Sequence, residues 1–206
     1  MNQQEQKWSG DFGDHYNQRN KNLVYTNLAF FANALKHITI EIQRIVEFGC
    51  GTGQNLMAIE KLFPKAYIEG VEINKKAALM AEGNLGRRAK IITDSIYGHN
   101  GGYLVDLVIS KGVLIHQPPN KVNDYYDQLV GFADEDGYIL MGEYWASQEE
   151  EVPYRGEEAM MWRRPFISDM LKRHDCLYLI DQGFASSDHP LWPQDNITWC
   201  LFRVNR

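Results

Sequence analysis

Three glycines stand at every second position, Gly49, Gly51 and Gly53, within Glu47-Phe48-Gly49-Cys50-Gly51-Thr52-Gly53. Glycine at that spacing permits a tight turn and lets a ligand approach bare backbone. A dinucleotide fingerprint sets its third glycine one position later, where this chain has Gln54. A dinucleotide loop receives a pyrophosphate at a helix N-terminus. The tighter spacing suits a ligand with no phosphate there, such as S-adenosylmethionine (SAM), whose methionine part lies against the glycines.

Two carboxylates extend the pattern. Glu72 follows Gly51 by 21 residues and ends the next apolar run. A carboxylate there accepts both ribose hydroxyls, at the switch point of an open α/β sheet. Asp94 ends the following run and suits an adenine amino group, with the backbone N–H of Ser95 donating to the ring. The plainer readings are a ligand-free turn, a solvated strand end for Glu72 and a helix N-cap for Asp94. The conjunction at consecutive strand ends favours the ligand.

Methyl transfer from a sulfonium is mostly a matter of positioning, and a base is needed only where the nucleophile loses a proton. The candidates are His116, whose ordinary pKa lies near neutrality, Glu143 and Tyr144. Each also reads as structure: a histidine capping a turn, a satisfied carboxylate, a hydrophobic cover. Arg155 suits the carboxylate of an acidic acceptor, with Tyr154 and Trp162 beside it in the substrate-contacting set. A pairing of Arg155 with Glu149–Glu151 or Glu157 is the alternative. Arg163 and Arg164 read as a solvated face. Tyr16 and Arg19 lie three apart on one helical face, and with Trp8 form an N-terminal lid that brings aromatic faces to a sulfonium and Arg19 to the methionine carboxylate.

The elements that must hold these residues follow from periodicity. Strands are expected at Arg44–Phe48, Ala66–Ile73, Lys90–Thr93, Leu104–Ser110 and Gly137–Gly142. Helices are expected at Asn22–Lys36, Gln54–Phe63, Lys75–Asn84, Asn120–Phe132 and Phe166–Arg173, with Pro64 ending the second. Strands alternating with helices argue a parallel sheet covered on both faces. Leu177–Phe184 and Asn196–Val204 follow one another as strands, an antiparallel hairpin closing the sheet. Residues 1–36 read as an arm or lid followed by a helix, and 147–165 as a substrate-facing insertion with little periodicity.

The 206 residues form one domain by length. The net charge of -6, without a long run of one sign, speaks against a nucleic-acid surface. Cys50, Cys176 and Cys200 have neither disulfide nor zinc spacing. With no apolar leader and no run of ~20 apolar residues, the expectation is a cytoplasmic protein that neither enters nor spans a membrane. No metal is expected, and the oligomeric state is left open. A nicotinamide-dependent oxidoreductase and a SAM-binding module without catalysis are the other classes. The glycine at 53 speaks against the first, and the polar set of His116, Glu143 and Arg155 against the second.

The chain resembles class I SAM-dependent methyltransferases, and among them the methylases associated with pseudaminic acid biosynthesis. The resemblance runs over nearly the whole length. It is carried by Trp8-Ser9-Gly10-Asp11-Phe12-Gly13-Asp14-His15-Tyr16 with Arg19-Asn20, Glu47–Gly53 with Gln54-Asn55-Leu56, Gly70–Asn74, Ser110–His116 and Pro153-Tyr154-Arg155-Gly156-Glu157-Glu158. It implies a Rossmann-like fold with a mostly parallel seven-stranded sheet, and SAM as methyl donor with S-adenosylhomocysteine as product. It implies cofactor contacts from Tyr16, Arg19, Glu47, Gly49, Cys50, Gly51, Gly53, Asn55, Glu72, Ile73, Asp94, Ser95, Ser110, Lys111 and Gly112. The implied acceptor is a small molecule, a hydroxyl of a nonulosonic sugar acid or its nucleotide-activated form. N- or carboxyl-methylation of another metabolite is the alternative. Gln117 and Glu158 stand where an apolar and a small residue are expected, pointing to a different acceptor.

Overall fold

The computed structural model describes residues 1–19, 23–154 and 157–206, with the backbone alone for 18, 19 and 157–159. Two short helices, α1 (Gln3–Ser9) and α2 (Asp11–Arg19), precede α3 (Val24–Ala34). The alternating part runs β1 (Arg44–Phe48), α4 (Gln54–Leu62), β2 (Tyr67–Glu72), α5 (Lys75–Leu85), β3 (Ala89–Thr93), β4 (Val105–Lys111), α6 (Val122–Phe132) and β5 (Ala133–Glu143). After it come β6 (Glu150–Tyr154), β7 (Glu157–Arg163), α7 (Phe166–Arg173), β8 (Leu177–Ala185) and β9 (Ile197–Val204).

Seven strands form one sheet in the order β3-β2-β1-β4-β5-β9-β8. The first five are parallel. Strand β9 runs antiparallel between β5 and β8, so the C-terminal hairpin closes the sheet as its sequence indicates. This is the Rossmann-like methyltransferase fold. The strand order reverses between β1 and β4, and their carboxyl ends therefore flank the crevice where open α/β sheets bind ligands.

The central strands are mostly apolar because both faces are covered. Val46 and Phe48 of β1 enter the core under α6 and α7, while Ile45 enters the core with α3 and α4. Leu107 and Ile109 of β4 face the second core, and Val105 and Val108 the first. Each such side chain, fully withdrawn from water, contributes about 1.5–3 kcal/mol.

Two segments lie outside the strand–helix alternation. Between β3 and β4 there is no helix. Residues 94–104 instead cross the sheet as a strap pinned to Glu69 on β2, which meets His99 Nε2 at 3.1 Å and the Tyr103 hydroxyl. The His99 ring stacks on Phe132 at 5.2 Å. The second segment is the β6–β7 hairpin, paired from Glu150↔Arg163 to Tyr154↔Glu157. Its alternation is interrupted by Pro153 and three successive glutamates, so period-two patterning never builds up. The N-terminal arm also carries more order than its polarity suggests. A capping box at Asn2 and Glu5 starts α1, and such reciprocal caps satisfy two end N–H groups.

Candidate functional site

The glycine turn leaves β1 and enters α4. All three glycines have positive φ, 72° at Gly49, 54° at Gly51 and 81° at Gly53, a region that side chains rarely adopt. A Cβ on Gly49 would also stand 2.5 Å from Val113 Cγ2. The turn is held from the next strand. Glu72 accepts the Gly51 N–H at 2.8 Å and the Asn74 N–H at 2.7 Å, one on each carboxylate oxygen. Burial raises the Glu72 pKa, opposed by those backbone bonds.

Beside the turn lies a second carboxylate. Glu47 is fully buried; Oε1 accepts from Asn55 Nδ2 at 2.6 Å, and Oε2 has no hydrogen-bond partner among the described residues. Desolvation pushes its pKa up to about 8, against the Asn55 bond and the Lys111 charge. A raised carboxyl pKa stabilises the folded state fully below the unfolded value, and that contribution is lost as pH rises through the folded value. Glu47→Gln is therefore expected to raise the melting temperature near pH 9 relative to the parent and to change little near pH 5. Parallel melts at the two pH values check this; equal losses at both would refute it.

A cavity opens at the carboxyl ends of β1, β2 and β4, with about 810 Å³ of space including its mouth. Its floor and walls include Gly49, Gly51, Glu72, Ile73, Lys111, Gly112 and His116. Its roof is the N-terminal helical pair, through Gln4, Glu5, Trp8, Tyr16 and Asn17. Asn74 fixes that roof. Its Oδ1 caps α5 at the Ala77 N–H, and its Nδ2 reaches the Trp8 carbonyl at 3.1 Å and Asp14 Oδ1 at 3.0 Å. Lys76 also pairs with Asp14, and Ser95 Oγ donates to Glu5.

On the far side stands His116, 6 % exposed, with Trp8 at 4.4 Å and Tyr154 at 5.0 Å between ring centroids. Its Nδ1 donates to the Met160 carbonyl at 2.6 Å. Burial pushes its pKa down to about 4, only partly opposed by that bond. The ring is therefore neutral at pH 7, with Nε2 unprotonated.

The sequence-derived candidates separate into two groups. Tyr16, Gly49, Gly51, Glu72, Ile73, Lys111, Gly112 and His116 line the cavity together. Glu47, Cys50, Gly53, Asn55, Asp94, Ser95 and Ser110 stand behind the wall. Asp94 is turned to the Ser95 N–H at 2.7 Å, while Ile96 and Tyr97 of the same strap face the cavity. Ser110 is buried against the Tyr125 hydroxyl. Glu143 lies below the His116 turn and accepts the N–H groups of Val113 and Leu114 at 3.0 Å and of Ile115 at 3.3 Å. Tyr144 packs with the α3–α4 core and has its pKa raised to about 12, mainly by burial. Trp162 is buried beside Arg164. Arg155 and the side chain of Arg19 lie outside the described residues.

One reading is corrected outright. A solvated face describes Arg163, whose side chain is 40 % exposed, but Arg164 is 2 % exposed. Gln4, Glu5, Asn17, Asn74 and Tyr97 are wall or hinge residues that periodicity does not single out. The Asn2–Glu5 capping signature was the one local signal for the first helix.

No family model and no curated protein matches the chain. Solved structures do match in fold. One is a SAM-dependent methyltransferase from Clostridium acetobutylicum, with TM-score 0.70 and 11% identity over 95% of this chain and 98% of that one. The plantazolicin methyltransferase BpumL in complex with S-adenosylhomocysteine gives 0.70 and 16% over 98% and 94%. The 1,6-didemethyltoxoflavin-N1-methyltransferase of Burkholderia thailandensis, with its namesake compound and S-adenosylhomocysteine bound, gives 0.72 and 12% over 98% and 87%. At such identities the likeness is one of fold. Among the described residues no helix is long and apolar enough to cross a membrane.

Proposed function

We propose that the chain is a SAM-dependent methyltransferase acting on a small-molecule acceptor. The observation that carries this reading is one cavity joining the positive-φ glycine turn and Glu72 to a neutral histidine. The residues fit the cofactor. Each Glu72 oxygen holds one backbone N–H, and an ionised carboxylate has about four acceptor positions, so both retain capacity for a ribose diol. Among the described residues, the Trp8 indole N–H is buried without a partner at the cavity wall.

SAM supplies, when bound, an electrophilic methyl group on a sulfonium. The rest falls to the chain. Glu72 and the glycine turn orient the donor, and the α1–α2 roof excludes water. His116 Nε2 takes the proton of an acceptor hydroxyl as the oxygen attacks. On the resemblance described above, that hydroxyl belongs to a nonulosonic sugar acid or its nucleotide-activated form.

Calorimetric titration with SAM tests the cofactor, with a nicotinamide dinucleotide as control; heat from the dinucleotide alone would reverse the assignment. Labelled SAM offered to free and activated nonulosonic acids, and to amines, then identifies the acceptor class by mass spectrometry. With a turned-over acceptor in hand, His116→Asn is expected to lower kcat by about 10²–10⁴-fold, the usual range for a lost general base. Asn retains a donor for the Met160 carbonyl, so SAM affinity should persist. An unchanged kcat would remove His116 from the chemistry.

A further inference from the structure

The turn from Val113 to Gln117 carries His116 and is gripped by two elements distant in sequence. From β5, Glu143 accepts its N–H groups. From the end of β7, Arg164 takes its carbonyls, donating from Nη1 to Leu114 at 3.0 Å and from Nη2 to Gln117 at 2.6 Å. The remaining guanidinium edge, Nε, donates to Glu149 at 2.6 Å, just before β6. All three edges are thus engaged, and the residue is 2 % exposed. Four residues earlier on the same strand, the Met160 carbonyl meets His116 Nδ1. A carbonyl only accepts, so the proton sits on Nδ1 and Nε2 is bare.

We propose that Arg164 is a positioning residue for His116: it locks the β6–β7 hairpin to the His116 turn, keeping the Met160 carbonyl on Nδ1 and leaving Nε2 as the proton acceptor. The tautomer of the base is then set by the hairpin and not by the turn that carries it. A planar fork is required, because one centre must hold two carbonyls and a carboxylate in fixed directions; a lysine ammonium is a point charge without that geometry. The groups packed around the imidazole are Trp8 of α1 and Tyr154 of β6, with Glu143, Arg164 and Glu149 reaching it through the turn and hairpin. The use made of the base rests on the methyltransferase reading; its tautomer does not.

Long-range nitrogen–proton NMR correlation on uniformly ¹⁵N-labelled protein reads both nitrogens of each histidine, and His116→Asn assigns the signal. The parent is expected to show one tautomer, protonated on Nδ1, and no titration between about pH 6 and 8, the range where a free imidazole titrates. Arg164→Lys is expected to mix the two tautomers and to bring the titration up by roughly one unit or more, within the range that changed burial and hydrogen bonding produce. Calorimetry on the same samples should find SAM affinity retained. A folded Arg164→Lys protein with a parent-like His116 signal would overturn the proposal. If that variant does not fold, Glu149→Gln replaces it, at a side chain 41 % exposed. It should move the signal in the same direction by less, and an unmoved signal there overturns the proposal equally. Failure of the parent to bind SAM would sink the methyltransferase reading while leaving the tautomer result standing.

Discussion

Glu72→Ala is expected to weaken SAM binding by roughly 10²–10⁴-fold, as two hydrogen bonds to a charged group at about 1.5–3 kcal/mol each would require. The carboxylate does two things in the structure. It already holds the Gly51 and Asn74 N–H groups, so the turn and the first residues before α5 are fixed to the end of β2. Its remaining acceptor positions are the ones assigned to the ribose. Removing it therefore costs both the ligand contacts and some of the preorganised turn. Glu72→Gln separates the two, since one amide oxygen still accepts a backbone N–H, and an intermediate affinity is expected. Because burial raises the Glu72 pKa, SAM affinity of the parent should fall on acidification at a pH above the ordinary carboxylate range. Titration calorimetry of both variants decides the matter. Parent-like affinity in a folded Glu72→Ala protein would mean that Glu72 serves the loop alone.

The second large effect concerns stability. Glu143 is fully buried and accepts three consecutive backbone N–H groups, with the Ser110 hydroxyl at 3.4 Å. Glu143→Ala leaves three backbone N–H groups without partners, at about 1–3 kcal/mol each. For a chain of this length each kcal/mol lowers the melting temperature by roughly 2–4 °C, so a fall on the order of 10 °C is expected. The Glu143 pKa is pushed up to about 7, by burial first and against those same bonds. Glu143→Gln should consequently be much milder at pH 6, where the parent carboxyl is largely protonated. A Glu143→Ala protein that melts with the parent would show that the turn is held by Arg164 alone. The same experiment bears on the role expected for this residue from its sequence position. Oε1 of this carboxyl is committed to the Val113 and Leu114 N–H groups, and Oε2 already accepts that of Ile115.

Arg164 and Glu143 show how opposite charges divide one turn between them. The carboxylate collects its N–H groups and the guanidinium its carbonyls, so neither ion is left unpaired. Buried ions contribute little net stability in general. What they supply here is a fixed direction for the backbone under His116.

Much of the fold was legible in the chain itself. The strand–turn–helix succession from Arg44 to Phe132 follows apolar periodicity closely, because burial on both sheet faces leaves each central strand mostly apolar. The glycine turn was legible for a similar reason. Positive φ at residues 49, 51 and 53 is a backbone requirement, and only glycine meets it cheaply, so the requirement is written directly into the sequence. Glu72 was legible as the end of a strand. The β6–β7 hairpin was not, since Pro153 and Glu149–Glu151 break its alternation. The N-terminal segment was legible as a lid, but its docking through Asn74, 60 to 66 positions away in sequence, was not. The side-chain assignments on the acceptor side depended on such distant partners. Arg164 reads as solvated until Leu114, 50 residues away, is brought beneath it, and Glu143 reads as a free strand end until the Val113–Ile115 turn closes on it. Local sequence determines backbone conformation and apolar periodicity, which act over a few residues. Whether a charged side chain is a ligand group or a structural clamp is decided by desolvation and by which distant backbone groups reach it, and those exist only once the chain has folded.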